Sequence, residues 1–216
     1  MAVALIVAAG RGERLGSTRP KALVTVGGRP MLDWSVATLR SVAEVEEIVV
    51  ALPADALDAA PAGTVAVAGG AVRSDSVRRA LHAAGPGDPV IVHDAARPLA
   101  SAALFVRALA ELQRTSADAV IVATPVADTI KEAEGTVVTR TVDRSSLWAI
   151  QTPQVFRREA LERGLADDEL LARATDDAWL IEQQGGIVRV IPAGEPNFKV
   201  TTADDLRLAE LLLADR

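Results

Sequence analysis

A glycine-rich loop that carries several cations follows the first apolar run of the chain. The stretch 10–21 reads GRGERLGSTRPK and contains Gly10, Gly12, Arg14 and Lys21. Glycine lets backbone amides approach phosphate oxygens closely, while Arg and Lys supply charge and bidentate contacts. The loop therefore predicts a triphosphate site. The alternative is a strand-to-helix turn with solvated basic side chains.

The glycine spacing of this loop differs from two common nucleotide-binding motifs. It is G-x-G-x-x-x-G, whereas the dinucleotide fold uses G-x-G-x-x-G and the P-loop ends in G-K-[ST]. The acidic residue that binds a ribose in the dinucleotide fold is also missing. The stretch 25–41 offers only Asp33, inside a helix-like pattern. A Rossmann oxidoreductase is therefore disfavoured.

A second candidate group stands where a buried strand is expected to end. The stretch 90–98, VIVHDAARP, places His93 and Asp94 after three β-branched residues. A carboxylate at the carboxyl end of a strand suits Mg²⁺, which prefers one or two carboxylates together with phosphate oxygens and water. We predict that Asp94 binds Mg²⁺; the alternative is a turn in which it pairs with Arg97. His93 points to the opposite face of the strand and is predicted to be structural.

Lys199 is an isolated cation in the stretch 195–206, EPNFKVTTADDL. It lies between a predicted strand and the last predicted helix. On charge alone, an isolated lysine is expected on the solvent-exposed surface. Its candidacy rests on the order of the motifs described below.

Alternating strands and helices surround these candidate residues. Apolar, β-branched runs predict strands buried on both faces, and helix-period stretches that follow Pro30, Ser74, Ser101 or Thr202 predict helices. The strands are predicted at 3–8, 48–52, 65–68, 90–92, 120–123 and 188–191, and the helices at 31–42, 75–84, 102–112 and 203–214. This order predicts an α/β fold with a mostly parallel sheet, helices on both faces, and ligands beyond the carboxyl ends of the strands.

The segment 128–142 interrupts this alternation. Its sequence, TIKEAEGTVVTRTV after Asp128, has no helical stripe and predicts two extended runs around a turn at Glu134 and Gly135. Such a projecting hairpin is either a solvated excursion or an arm that grips a second subunit. Apolar Val137 and Val138 favour the arm.

Composition and charge exclude several classes of protein. The chain has 23 Lys and Arg against 29 Asp and Glu, and its net charge of −6 disfavours nucleic acid as a partner. No cysteine is present, which excludes disulfides and thiolate chemistry. The apolar runs at 3–9 and 120–123 are too short to span a membrane, and the start MAVALIVAAG lacks the basic region of a signal peptide, so we expect a cytoplasmic protein. We also expect one domain over 1–216, with an arm at about 126–146.

Seven blocks along the chain resemble the 2-C-methyl-D-erythritol 4-phosphate cytidylyltransferase family. They are AAGRGERLG with PK, GGAVRSDSV, HDAARP, TPVADTIK, LWAIQTPQVF, TDDA and NFKVTTADDL. HDAARP and the order of the blocks are specific, whereas many sugar-phosphate nucleotidyltransferases share the opening loop. The resemblance implies a Rossmann-like nucleotidyltransferase fold and transfer of a cytidylyl group from CTP to methylerythritol phosphate. It also implies release of pyrophosphate, a need for Mg²⁺, and a place in the non-mevalonate isoprenoid pathway.

The resemblance further implies roles for individual residues. Nucleotide binding is implied for Ala8, Ala9, Gly10, Gly12, Gly70, Ser76 and Asp94, catalysis for Arg14, Lys21 and Lys199, and acceptor binding for Arg97, Thr129, Arg144, Thr152 and Thr175. In the family, the contacts matching Thr129 and Arg144 come from an arm of the neighbouring subunit, which implies a homodimer with composite sites. The chain departs from the family at Ala22, where Gln is common, and at Ala71, where many members have a polar residue. Neither departure removes a charged group.

Three other functions stay open from the sequence. A ribitol 5-phosphate cytidylyltransferase looks similar in fold, loop and arm. A nucleotidyltransferase for UTP or GTP is the second alternative, because cations bind phosphates and not bases. The third is a non-catalytic nucleotide-binding domain, which retention of Arg14, Lys21, Asp94 and Lys199 disfavours. Trp179 lies at helical spacing and is expected to pack in the core.

Overall fold

The computed structural model describes residues 1–12, 15 and 19–214. Its strands are β1 (Ala2–Val7), β2 (Thr25–Val26), β3 (Arg29–Pro30), β4 (Val45–Leu52), β5 (Val65–Ala68), β6 (Val90–Asp94), β7 (Ala119–Pro125), β8 (Ile130–Glu134), β9 (Val137–Val142), β10 (Trp148–Phe156) and β11 (Val188–Pro192). Its α-helices are α1 (Met31–Arg40), α2 (Arg73–Ala83), α3 (Ala102–Arg114), α4 (Arg158–Leu165), α5 (Asp168–Arg173), α6 (Asp177–Gln183) and α7 (Ala203–Leu213). Short 3-10 helices span Lys21–Leu23 and Ala54–Ala59.

The central sheet has seven strands in the order β11-β7-β10-β6-β1-β4-β5. β10 runs antiparallel to β6 and β7, and the other neighbouring pairs are parallel. The predicted α/β fold with a mostly parallel sheet is confirmed. β1 and β6 are neighbours in a register that pairs Val7 with Asp94, so their carboxyl ends open on the same edge of the sheet.

Helices cover both faces of this sheet. On one face, α1 and α3 contribute Leu39 and Leu104 to the core, and on the other face α2, α4 and α6 contribute Val77, Leu161 and Leu180. Burial on both faces explains why the central strands are continuous apolar runs. In the described part of the chain, no helix combines the length and apolar character needed to cross a bilayer.

The edge strands contradict the prediction that every strand is buried on both faces. Val65 in β5 and Val190 in β11 are each 38% exposed. An edge strand has a neighbouring strand on one side only, so its side chains are covered less completely than those of a central strand. An apolar run therefore predicted the strand, but burial depended on the position of that strand in the sheet.

β10 crosses the middle of the sheet, although the apolar-run criterion does not predict it. Its central residues, Gln151 to Gln154, are polar or proline and break the apolar pattern. Thr152 and Gln154 are nevertheless buried, at 3% and 1% exposure. The short helices α4, α5 and α6 also lie outside the predicted elements.

The helix starts confirm two predicted caps and correct a third. The hydroxyls of Ser101 and Thr202 accept hydrogen bonds from backbone amides in the first turns of α3 and α7. The expected cap Ser74 is wrong, because α2 already begins at Arg73 and the Ser74 hydroxyl donates to the Leu171 carbonyl oxygen at 2.9 Å. This early start places Arg73 on the helix, next to the site.

β8 and β9 form the predicted hairpin as a separate two-stranded sheet. Gly135 begins its turn with a φ of 60°, in the left-handed region that favours glycine. Val137 and Val138 are 68% and 56% exposed. The hairpin thus presents apolar side chains to its surroundings.

Candidate active site

Asp94 is the centre of a charged cluster at the carboxyl edge of the sheet. It is the last residue of β6 and is 6% exposed. Its Oδ1 accepts from Arg73 Nε at 3.1 Å, and its Oδ2 accepts from Lys199 Nζ at 2.7 Å. Arg73 Nη1 also donates to Asp177 Oδ2. Two cations and two carboxylates from distant parts of the sequence therefore meet here.

The cations of this cluster keep Asp94 ionised. Burial by itself raises the pKa of the Asp94 carboxyl, but Arg73 and Lys199 outweigh it and hold that pKa well below its usual range. For Arg73, burial lowers the pKa, and the neighbouring carboxylates of Asp177 and Asp94 more than reverse this effect. Asp94 and Arg73 therefore stay charged at neutral pH, whereas full burial outweighs the ion pair with Arg73 at Asp177 and raises the pKa of that carboxyl.

A pocket of about 420 Å³ opens on one side of Asp94. It brings together most of the residues predicted to contact the nucleotide. Its lining includes Ala8, Ala9, Gly10, Gly12, Lys21, Gly70, Ser76, Asp94 and Lys199. We call this cavity the glycine-loop pocket. Its volume lies within the range of small-molecule binding sites.

Close contacts with neighbouring residues explain two of the glycines in the glycine-loop pocket. Gly12 has a φ of 77°, and a Cβ built there would lie 2.9 Å from the Lys21 Cβ. A Cβ on Gly70 would lie 1.9 Å from the Asp75 Oδ2. Gly70 N–H donates to the Ser76 hydroxyl at 3.0 Å. Ser76 therefore supports the wall of the pocket through the backbone.

A second pocket, also of about 420 Å³, has Asp94 in its lining as well. We call it the β10 pocket. It contains the predicted acceptor residues Arg97, Thr152 and Thr175, together with Ile150, Gln151, Gln154, Asp176, Trp179 and Glu182. Arg73, Asp94 and Lys199 line both pockets. The charged cluster is therefore a wall shared by two adjoining cavities.

The predicted residues of the β10 pocket are held in different ways. Arg97 is 8% exposed, and its guanidinium donates to the carbonyl oxygen of Asn197 at 2.8 Å. The Thr152 hydroxyl accepts from the Asp94 N–H at 3.0 Å. Thr152 thus supports Asp94 directly, whereas Thr175 is exposed at the pocket surface.

His93 lies behind the site rather than in it. It is fully buried, packs edge-on against Phe105 and places Nδ1 3.1 Å from the Thr152 hydroxyl. Burial lowers the pKa of His93 to about 4. The ring is therefore neutral at physiological pH and lines neither pocket, which agrees with the predicted structural role.

Some predicted residues are not brought to these pockets. Thr129 and Arg144 lie exposed at the base of the hairpin, where Arg144 donates to the Ala127 carbonyl oxygen. Arg14 lies outside the described residues. Trp179 corrects an expectation, because it packs against the core and also lines the β10 pocket.

Arg73 and Asp177 were not predicted as site residues. Both belong to blocks that carry the family resemblance, GGAVRSDSV and TDDA. An arginine and an acidic residue inside such blocks were the only signals in the sequence. Their contact joins positions separated by 104 residues, so no local pattern predicts it.

The fold and the site together define a nucleotidyltransferase: one sheet edge carries a glycine-rich cationic loop, a buried carboxylate and two adjoining pockets. The family model for 2-C-methyl-D-erythritol 4-phosphate cytidylyltransferase matches residues 2–215. The chain belongs to this family.

Individual relatives agree with this assignment. The 2-C-methyl-D-erythritol 4-phosphate cytidylyltransferase of Frankia casuarinae is 50% identical over 218 residues, covering 98% of this chain and 80% of the relative. That of Nocardia farcinica is 47% identical over 222 residues, covering 99% and 94%. The crystal structure of the Thermus thermophilus enzyme has a TM-score of 0.81 at 37% identity and covers 98% of both chains.

Proposed function

We propose that this chain transfers the cytidylyl group of CTP to 2-C-methyl-D-erythritol 4-phosphate and releases pyrophosphate. The reaction supplies a CDP-linked intermediate to the non-mevalonate isoprenoid pathway. The observation that carries the proposal is that Arg73, Asp94 and Lys199 form a wall shared by two adjoining pockets. Two anionic substrates bound on either side would meet at this wall.

CTP is assigned to the glycine-loop pocket. Gly10 leaves open space for a phosphate beside the backbone. Gly12 packs against Lys21, which adds a positive charge to the same wall. Ala8, Ala9, Gly70 and Ser76 form the remaining surface and are assigned to the base and ribose. Arg14 belongs to the same loop by sequence and is assigned to the triphosphate.

The acceptor phosphate is assigned to the cationic end of the β10 pocket, near Arg97 and Lys199. The polyol then faces Thr152 and Thr175. This orientation directs an acceptor phosphate oxygen toward the glycine-loop pocket. The contacts of the β10 pocket thus support a polyol phosphate as the second substrate.

The chemical step is an in-line displacement at the α-phosphorus of CTP. An acceptor phosphate oxygen forms the new P–O bond, the bond to the β-phosphate oxygen breaks, and pyrophosphate leaves with both electrons of that bond. A phosphate monoester has a second pKa of roughly 6, so the attacking group is largely dianionic at neutral pH and needs little general-base help. Lys21 and Lys199 lower the repulsion between the two anions and hold them in line.

Mg²⁺ is the proposed cofactor, with Asp94 as its protein ligand. A carboxylate has about four lone-pair positions, and Arg73 and Lys199 occupy two of them. The described residues contain no group of three or more His, Cys, Asp or Glu able to hold a metal, which suits an ion bound mainly by nucleotide phosphates. When bound, the ion supplies charge neutralisation at the reacting phosphates.

The hairpin is proposed to complete the site of a second subunit. Exposed Val137 and Val138 offer apolar contact area, and Thr129 and Arg144 lie at the base of the same arm without reaching either pocket of their own chain. A homodimer in which each arm reaches across accounts for both observations. We further propose that residues 1–216 act as one domain and that the protein is cytoplasmic, where its nucleotide substrate is available.

The test of the proposed reaction is pyrophosphate release from CTP with Mg²⁺. Methylerythritol phosphate, ribitol phosphate and no acceptor are compared, and UTP and GTP replace CTP in parallel. We expect release with CTP and methylerythritol phosphate only. A preference for ribitol phosphate or for another nucleotide would change the assigned substrate accordingly. No pyrophosphate release with any pair would contradict the proposed activity and favour a non-catalytic nucleotide-binding domain.

The composite site is tested by mixing two inactive variants. In a heterodimer of Lys21→Ala and Arg144→Gln chains, one site has an intact Lys21 and receives an intact Arg144 from the other chain. Random mixing of a twofold dimer should restore about a quarter of the wild-type rate. Absence of any recovery in a mixture shown to exchange subunits would contradict the shared site.

A further inference from the structure

Arg73 lines both pockets. It is the first residue of α2 and follows Gly70, Ala71 and Val72, which line the glycine-loop pocket. Its side chain also lines the β10 pocket. One arginine therefore reaches from the loop assigned to the nucleotide to the cavity assigned to the acceptor.

Asp177 holds the other end of Arg73. It is the first residue of α6 and follows Thr175 and Asp176, which line the β10 pocket. Asp177 itself is fully buried and belongs to the lining of neither pocket. Its Oδ2 accepts from Arg73 Nη1, and its Oδ1 has no hydrogen-bond partner within the described residues. The ion pair with Arg73 compensates the charge of this buried carboxylate.

We propose that Arg73 and Asp177 form a positioning pair that holds Asp94 for catalysis and ties the nucleotide loop to the acceptor pocket. The proposal rests on the function proposed above and adds two residues that the family resemblance did not assign. Arg73 acts through Asp94, because its Nε fixes Oδ1 while Lys199 approaches Oδ2 at 2.7 Å. Asp177 acts through Arg73, because it determines where the guanidinium lies.

The chemistry of arginine suits this role better than that of lysine. A guanidinium is planar and presents N–H groups in a rigid fork, so that separate nitrogens bind two carboxylates at fixed angles. Arg73 uses Nε for Asp94 and Nη1 for Asp177. An ammonium group is a single point charge and cannot reproduce both directions. The alternative role is a purely structural ion pair, which a neutral pair can often replace without harm.

Three variants separate the two roles: Arg73→Gln, Asp177→Asn and the double variant. For each, we measure kcat, both KM values and the thermal midpoint. Arg73→Gln leaves the Asp177 carboxylate buried without its cation and should lower both the midpoint and kcat. The double variant removes this uncompensated charge and should recover the midpoint, while kcat stays about tenfold to a hundredfold below wild type, as for other groups that orient a site ligand. Recovery of wild-type kcat together with the midpoint would overturn the proposal.

Asp177→Asn tests whether Asp177 affects catalysis through Arg73, without contacting a substrate. Because Asp177 lines neither pocket, a fall in kcat with little change in the KM for CTP is expected from a displaced Arg73. Arg73→Lys should recover part of the kcat lost in Arg73→Gln, since it keeps one of the two contacts. A kcat within twofold of wild type in Asp177→Asn would overturn the proposal.

Arg78→Gln is the matched control. Arg78 lies on the same helix, and its Nη1 likewise bridges to another helix, at Asp168 Oδ1 of α5 over 2.6 Å. It lines neither of the two pockets, so its loss should leave kcat unchanged. Pyrophosphate release by the wild-type protein is measured first. Its absence would overturn the proposed function and the role of this pair with it, whereas active wild type with unaffected variants would overturn the pair alone.

Discussion

Replacement of Gly70 by alanine should selectively weaken CTP binding. The added Cβ would lie 1.9 Å from the Asp75 Oδ2 and 2.6 Å from the Asp75 Cβ, which is far inside van der Waals contact. Rotation of the Asp75 side chain cannot relieve the overlap with its Cβ. Asp75 also pairs with Arg78 and Arg79 at 3.0 Å each, which resists its movement. The loop at Gly70 must therefore shift, and this loop is a wall of the glycine-loop pocket.

The expected size of the effect follows from the cost of overpacking. An added methyl group in a packed site costs about 1–3 kcal/mol, and each 1.4 kcal/mol corresponds to about a tenfold change in an equilibrium constant. If nucleotide binding must restore the original wall, the KM for CTP should rise by about fivefold to about 150-fold. The three atoms nearest to the new Cβ all belong to Asp75 and not to the catalytic lysines, so kcat should change little.

The assay compares steady-state pyrophosphate release by wild type, Gly70→Ala, Asp75→Gly and the double variant over a range of CTP concentrations. Asp75→Gly removes the three atoms that lie nearest to the new Cβ. The double variant should therefore have nearly the same KM for CTP as Asp75→Gly alone. Circular dichroism and thermal midpoints establish that each variant is folded.

Two results would refute this reasoning. A folded Gly70→Ala protein whose KM for CTP stays within twofold of wild type would show that the wall tolerates the methyl group. An equally raised KM in the presence of Asp75→Gly would show that Asp75 is not the obstacle. A change confined to kcat would instead place Gly70 in the chemical step.

Three further predictions concern the residues around Asp94. Lys21→Ala should lower kcat by about a hundredfold or more with an unchanged thermal midpoint; wild-type turnover from the folded variant would remove Lys21 from the mechanism. Thr152→Val leaves the buried Asp94 N–H without its acceptor and should lower the free energy of unfolding by about 1–3 kcal/mol in a urea titration; no loss would mean that another acceptor replaces the hydroxyl. Burial lowers the pKa of His93 from 6.5 in the unfolded chain to about 4 in the folded protein. As the pH drops from 6.5 toward 4, the unfolded chain therefore protonates His93 first, and the free energy of unfolding falls. In metal-free buffer, wild type should lose about 2 kcal/mol more than His93→Asn between pH 7.5 and pH 5, and equal slopes would contradict a neutral buried ring.

Much of the fold was predictable because it depends on local patterns. The strand predicted at 65–68 has the observed bounds of β5, and the helices predicted at 31–42 and 102–112 begin where α1 and α3 begin. Apolar β-branched runs and helical spacing act over a few residues. β10 was missed for the same reason, since the polar residues at its centre serve the site rather than the core.

The site was predictable only in part. Glycine spacing, the HDAARP block and the order of the motifs pointed to Gly12, Lys21, Asp94 and Lys199, and the structure places all four around one pocket. Arg73 carried no comparable signal. Charged residues are common on protein surfaces, and only their three-dimensional neighbours distinguish a site residue from a solvated one.

By itself, the sequence determined the alternation of strands and helices, the glycine loop and the hairpin, because each depends on contiguous residues. It also determined the family, through the order of seven short blocks along the chain. The tertiary structure decided which charges meet. Asp94 contacts Arg73 across 21 positions and Lys199 across 105, and Arg73 contacts Asp177 across 104. Such contacts depend on the parallel register of β1 and β6 and on the placement of α2 and α6 over the sheet. Long-range packing sets these positions, and no short stretch of sequence encodes it.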